Sequence, residues 1–144
     1  MNIVVLIVLI LFSIQDVKDK KLSLIPLCIV IVVSVLYYLC QVYLGRESLT
    51  SMLWNQMPGF FFLGMALWNS NKIGPGDGLT LLFLGNSMGY EATMFILLIA
   101  LIMSVVYSIV MLILGKVKID STIPFVPFLC IGCMGYLILT GVMV

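Results

Sequence analysis

The sequence predicts an all-α, polytopic membrane protein, and three observations carry that prediction. Of its 144 residues, 63% are hydrophobic and only 9% are charged, with a mean hydropathy of +1.28. A soluble domain of this size could not cover its surface with so few polar groups. The apolar residues fall into six runs separated by short stretches that hold every Lys and Asp residue. The lysines, finally, gather in alternate connections, as six crossings would require. At this length the chain is expected to form one domain, residues 1–144. A net charge of +1 with no basic stripe sets nucleic-acid partners aside.

The first run, Ile3 to Ile14, is short for a crossing, which needs about 20 residues to traverse a ~30 Å core. It lengthens if the helix continues through Asp16 to Lys21, with Lys18, Lys20 and Lys21 snorkelling to the headgroups. No basic residue precedes this run and no small-residue cleavage site follows it. It is therefore read as an uncleaved helix rather than a secretory signal. The second run, Leu24 to Leu44, and the third, Leu49 to Trp68, are long enough unaided. The fourth, Gly78 to Met88, stays short. Gly74, Pro75, Gly76 and Gly78 predict a non-helical start, while Asn86, Gly89 and Glu91 predict its stop. Irregular backbone at membrane depth needs cover from protein or water, so this helix is expected to line an internal cavity. The fifth run spans Ala92 to Leu114. The sixth spans Ile123 to Val144, with Pro124 and Pro127 shaping its start.

Six crossings place Lys18, Lys20, Lys21, Lys72, Lys116 and Lys118 on one side and only Arg46 on the other. The lysine side is predicted to be cytoplasmic and both termini to lie outside the inner (cytoplasmic) membrane. Asp16 and Asp77 then share a level at the cytoplasmic ends of their helices.

These two acids are the candidate catalytic residues. A carboxylate at membrane depth is expensive to keep and usually marks function. The chain has no histidine. Without histidine, metal or a nucleophilic serine, two carboxylates held close can still hydrolyse a peptide bond, because only one of them ionises readily. Gly74, Gly76 and Gly78 around Asp77 are expected to shape the backbone, permitting a tight turn and close approach of an extended substrate. Plainer roles are open to both acids. Asp16 could pair with Lys20 at i, i+4, and Asp77 could be a helix N-cap. Cys28, Cys40, Cys130 and Cys133 all lie in apolar runs and are read as packing residues. Cys130-Ile131-Gly132-Cys133 lacks the loop, the second pair and the histidines of a zinc site. No metal or cofactor is expected.

Three stretches resemble the type IV prepilin peptidase family of membrane aspartyl proteases. They are Asp16-Val17-Lys18-Asp19-Lys20-Lys21-Leu22-Ser23, the G-x-G-D box in Lys72-Ile73-Gly74-Pro75-Gly76-Asp77-Gly78-Leu79, and Ile123-Pro124-Phe125-Val126-Pro127. The resemblance implies an aspartyl endopeptidase with Asp16 and Asp77 as its pair. The implied substrates are type IV pilin-like precursors, each cut at the cytoplasmic face between a basic leader and an apolar helix. It is to the short form, without the cysteine-bearing insertion of bifunctional members, so methyltransferase activity is not implied. Leu24, Leu79 and Val126 stand where the family often has asparagine, lysine and glycine. These departures motivate an alternative, a catalytically inactive relative serving as a membrane assembly or scaffold protein.

Overall fold

Helix punctuation in the chain is carried by glycine, and the architecture follows it. A computed structural model describes residues 2–19, 24–68, 74–115 and 124–141. Six helices, and no strand among the described residues, make up the fold: α1 (Asn2–Asp19), α2 (Leu24–Tyr43), α3 (Leu49–Trp68), α4 (Pro75–Met88), α5 (Tyr90–Ile113) and α6 (Val126–Leu139). Gly45, Gly115 and Gly141 follow α2, α5 and α6 with φ of 70°, 66° and 67°, the left-handed geometry that ends a helix most readily at glycine. Gly89, at φ 84°, is the whole connection between α4 and α5.

The short helix α4 is the hub. It touches α1, α2, α3 and α5, and every residue from Thr80 to Asn86 is buried. A helix enclosed on all sides needs no polar face, and residues 79–84 read Leu-Thr-Leu-Leu-Phe-Leu accordingly. Its tightest partner is α3, and small residues set that approach. Gly59 of α3 lies under Leu82, Gly78 of α4 against Leu63, and Gly85 of α4 against the Asn55 carbonyl, an antiparallel register along the whole of α4. A Cβ on Gly78 would come within 2.8 Å of the Leu63 backbone nitrogen. Between apolar helices in lipid, close backbone approach of this kind is a main source of association. Gly132 of α6 plays the same part against the Ile96 carbonyl of α5.

The main core joins Leu9 of α1, Leu81 and Leu84 of α4, Ile96 of α5 and Leu129, Cys133 and Leu137 of α6. A smaller cluster of Phe12, Leu27 and Val126, with Leu79 packed against it, closes the opposite corner. The outward faces of α2 and α5 are apolar as well: Ile29, Val33 and Leu36 on one, Leu98, Ile102 and Ile109 on the other, are exposed. Among the described residues, two helices, Ile25–Tyr43 and Tyr90–Ile113, are long and apolar enough to cross a membrane.

Several boundaries differ from the sequence reading. The fourth helix starts at Pro75, so the glycine-rich box forms its first turn instead of a non-helical lead-in. Proline at the first helical position gives up an N–H that would be unpaired anyway. The fifth begins at Tyr90, which puts Glu91 inside a helical first turn, where an acid suits the helix dipole. The sixth ends at Leu139, short of Val144, because Thr140 and Gly141 turn the chain out. Among the four cysteines, Cys130 and Cys133 are buried and Cys28 and Cys40 exposed. Lys20, Lys21, Leu22, Ser23, Lys72, Ile73, Lys116, Lys118, Asp120 and Ile123 lie outside the described residues.

Candidate active site

Asp16 is carried inward by the helical period. Val5, Leu9, Phe12 and Asp16 recur at steps of four, three and four residues, one stripe of α1, and all four are buried. An acid in that stripe has been placed where a core residue would go. Asp16 is only 6% exposed, and its Oδ2 accepts the backbone N–H of Val126 at 3.1 Å, a contact between residues 110 apart in the chain. The neighbouring Phe125 backbone interacts with the same carboxylate. Asp16 thus caps α6 from another helix, satisfying one of the first-turn N–H groups that no residue of α6 can reach.

The residues before α6 are held for this purpose. Phe125 stacks on Phe62 of α3, ring centroids 6.1 Å apart and planes 16° from parallel. Val126 is fully buried between Phe12 and Leu27. Pro127, in the first turn, needs no N–H partner there. The Phe125-Val126-Pro127 stretch therefore seats a helix N-terminus against Asp16.

Asp77 approaches from α4. It is the third residue of that helix and partly buried, with its N–H donated to the Gly74 carbonyl at 3.2 Å. The N-cap position belongs to Gly74, so Asp77 is not the N-cap residue. Its carboxylate faces the Gly74 backbone and interacts electrostatically with Asp16. Two acids 61 positions apart are thereby drawn to one end of the bundle, within Coulombic reach of each other. Thr80, one turn on, turns its hydroxyl back to the Gly76 carbonyl at 2.8 Å and so spends its own polarity locally.

The glycines of the box have separate places. Gly74 is exposed beside the Asp77 carboxylate, Gly76 is buried, and Gly78 is pressed on Leu63. None has a positive φ, and Gly74 sits at φ −72°, ψ 136°, which any residue adopts. The tight turn expected of them is absent. What Gly78 supplies instead is the missing Cβ that lets α4 lie close on α3.

A family model described as the type IV leader peptidase family matches residues 3–109. The chain belongs to the type IV leader peptidase family. That match takes in both Asp16 and Asp77 and stops before the Phe125–Pro127 segment. Family membership supports a protease, a hydrolase by reaction class. Neither the comparison with curated proteins nor that with solved structures returns a match. Among the described residues, no group of His, Cys, Asp and Glu side chains is arranged to hold a metal ion.

The sequence reading did not single out Phe62, or the backbone N–H of Val126 as a partner for Asp16. Phe62 carries no signal of its own in an apolar run. The Val126 amide could have been suspected, because a helix that starts Phe-Val-Pro offers no side-chain cap of its own.

Proposed function

We propose that this chain is an intramembrane aspartyl endopeptidase that removes the leader peptides of type IV pilin-like precursors at the cytoplasmic face. The observation that carries the reading is the convergence of Asp16 and Asp77, from separate helices, at one end of a peptidase-family bundle. One carboxylate takes a proton from the attacking water, and its protonated neighbour donates a hydrogen bond to the scissile carbonyl. The pair shares its titration, and either acid can fill either role. In this reading the chain crosses the inner membrane six times with both termini outside. A precursor presents its cleavage point where its basic leader meets its apolar helix, the level at which the lysine-bearing connections leave Asp16 and Asp77. Gly74, open beside Asp77, leaves room for an extended peptide backbone.

The inactive-scaffold alternative draws on one specific observation: the hydrogen bond from Val126 gives Asp16 a structural task that needs no catalysis. Mass spectrometry of a co-expressed pilin precursor separates the two. With the wild-type chain the precursor is expected to lose its leader. With Asp16→Asn or Asp77→Asn it is expected to stay intact while the variant remains in the membrane. Uncut precursor in the presence of wild-type chain would favour the scaffold, and processing by either variant would remove the aspartyl pair.

A further inference from the structure

A second polar feature lies at the far end of the bundle. Asp77 stands in the first turn of α4 and Asn86 in its last, ~14 Å apart along the helix axis. Around Asn86 opens a cavity of about 370 Å³, lined in part by Tyr37, Gln41, Arg46, Glu47, Asn86 and Gly89. That volume falls within the ~300–1,000 Å³ range of small-ligand pockets. It uses none of the residues assigned to proteolysis.

The cavity wall carries two opposite charges that are not spent on each other. Arg46 and Glu47 are sequence neighbours, yet they form no ion pair, and the Arg46 guanidinium has no side-chain partner among the described residues. Glu47 accepts hydrogen bonds from Tyr38 and Ser51, both at 3.3 Å and both on Oε2. Its Oε1 has no hydrogen bond among the described residues. The Tyr37 hydroxyl accepts from Gln41 Nε2 at 2.8 Å, which leaves its own proton to give. A free guanidinium and a free hydroxyl proton suit a phosphate; a free carboxylate oxygen beside them suits an ammonium. A dianion would meet Glu47 unfavourably, and a simple cation would meet Arg46. The combination selects a zwitterion.

Exposed aromatic side chains show which environment supplies it. Tyr37, Tyr43, Trp54 and Tyr90 all project from this end. Tyrosine and tryptophan collect at the headgroup level of a bilayer, where an apolar ring and a polar edge are both satisfied. We propose that this cavity binds a phospholipid headgroup of the phosphoethanolamine type, with its phosphate on Arg46 and Tyr37 and its ammonium on Glu47 Oε1. The inference rests on the membrane reading of the chain and is independent of its peptidase chemistry.

Native mass spectrometry of the full chain released from nanodiscs tests it. The discs hold equimolar phosphatidylethanolamine, phosphatidylglycerol and phosphatidylcholine of one acyl composition. Wild-type protein is expected to retain phosphatidylethanolamine about tenfold over the other two, the choline headgroup lacking N–H donors and the glycerol headgroup lacking a cation. Arg46→Gln is expected to lose the adduct, and Glu47→Gln to hold phosphatidylethanolamine and phosphatidylglycerol equally. Tyr37→Phe, which deletes one hydroxyl and serves if a charge variant fails to insert, is expected to weaken retention about threefold. Wild-type adducts in bilayer proportion, or an undiminished preference in the variants, would overturn the proposal. Inorganic phosphate is the second probe: no displacement of lipid is expected, and displacement would reassign the site to free phosphate. Leader cleavage, followed in parallel, is expected to be unchanged in all three variants, so failure here is distinguishable from failure of the peptidase reading.

Discussion

The two ends of α4 treat polar groups in opposite ways. At the Asn86 end the side-chain amides and the Tyr38 and Ser51 hydroxyls are bonded to one another. Gln56 Nε2 donates to Asn86 at 3.0 Å, Asn55 Oδ1 accepts the Tyr90 N–H at 2.9 Å, and Tyr38 meets Ser51 at 2.9 Å, so α2, α3, α4 and the start of α5 are laced together. At the Asp77 end, two carboxylates lie within Coulombic reach of each other, with Phe12, Leu27, Leu79 and Val126 clustered beside them. Among the described residues, their bonding is to backbone groups at Gly74, Phe125 and Val126. A satisfied network fixes a bundle, and at the Asn86 end it leaves Arg46, Tyr37 and Glu47 Oε1, at the wall of the cavity, with capacity for a ligand. Acids bonded to backbone amides alone retain capacity for a water and a substrate carbonyl. One end of the hub helix is thus arranged for rigidity and the other for reaction.

The sharpest way to break this contrast is to neutralise the reactive end without changing its shape. Asp77→Asn and Asp16→Asn are expected to lower leader cleavage by roughly 10²–10⁴-fold each, the span typical of a lost general acid or base. Both should leave thermal stability in detergent near wild type, since asparagine keeps a carbonyl oxygen at the same position. A loss of cleavage accompanied by unfolding would instead make these acids structural.

Between the two ends, the α3–α4 seam is expected to show the largest stability effects. Gly85→Ala would drive a methyl group into the Asn55 carbonyl, and Gly78→Ala would press on Leu63. Each is expected to destabilise the fold by about 1–3 kcal/mol, read as a lowered unfolding midpoint in mild detergent. Gly64→Ala, in the same helix pair but with nothing within 4 Å, is the control and should be neutral.

Asp16 allows the chemical and structural halves of one residue to be separated. Asp16→Ala removes the acceptor of the Val126 N–H, leaving a buried donor unpaired at the start of α6. It is expected to cost about 1 kcal/mol of stability, comparable to losing a helix cap, whereas Asp16→Asn keeps that bond. Equal stability of the two variants would mean that the cap contributes nothing and that Asp16 is present for chemistry alone.

How much of this was legible beforehand differs by level. Six helices could be read from six apolar runs, because hydrophobic length and glycine punctuation are local properties. Asp16 and Asp77 stood out for the same reason: a charge at the edge of an apolar run is conspicuous without knowing its neighbours. What could not be read was which surfaces meet. Gly78 looks like a turn residue in Gly-Pro-Gly-Asp-Gly and proves to be a packing residue, since its partner Leu63 lies in a different helix. The bond from Val126 to Asp16 spans 110 residues and involves a backbone group that no residue type advertises. Leu79 and Val126, two of the departures from the family pattern, contribute to one apolar cluster beside Asp16. Two substitutions that look like separate losses along the sequence are one packing arrangement in space.

The smallest expected effect lies at the rigid end, and it tests whether that end is only a brace. Tyr38 is 5% exposed, and its hydroxyl meets Glu47, Ser51 and Asn55 at 3.3, 2.9 and 3.4 Å. Tyr38→Phe keeps the ring and deletes the shared hydroxyl. Ser51 and Glu47 retain each other at 3.3 Å, so only part of the network is lost. A net loss of about 0.5–1.5 kcal/mol is expected, measured as a modest drop in the unfolding midpoint. Leader cleavage should be unaltered at temperatures where the variant is folded, because the hydroxyl belongs to the network at the opposite end of α4 from Asp77. If cleavage fell while stability held, the two ends would be coupled through α4, and the division between a rigid end and a reactive one would have to be replaced by a single connected device.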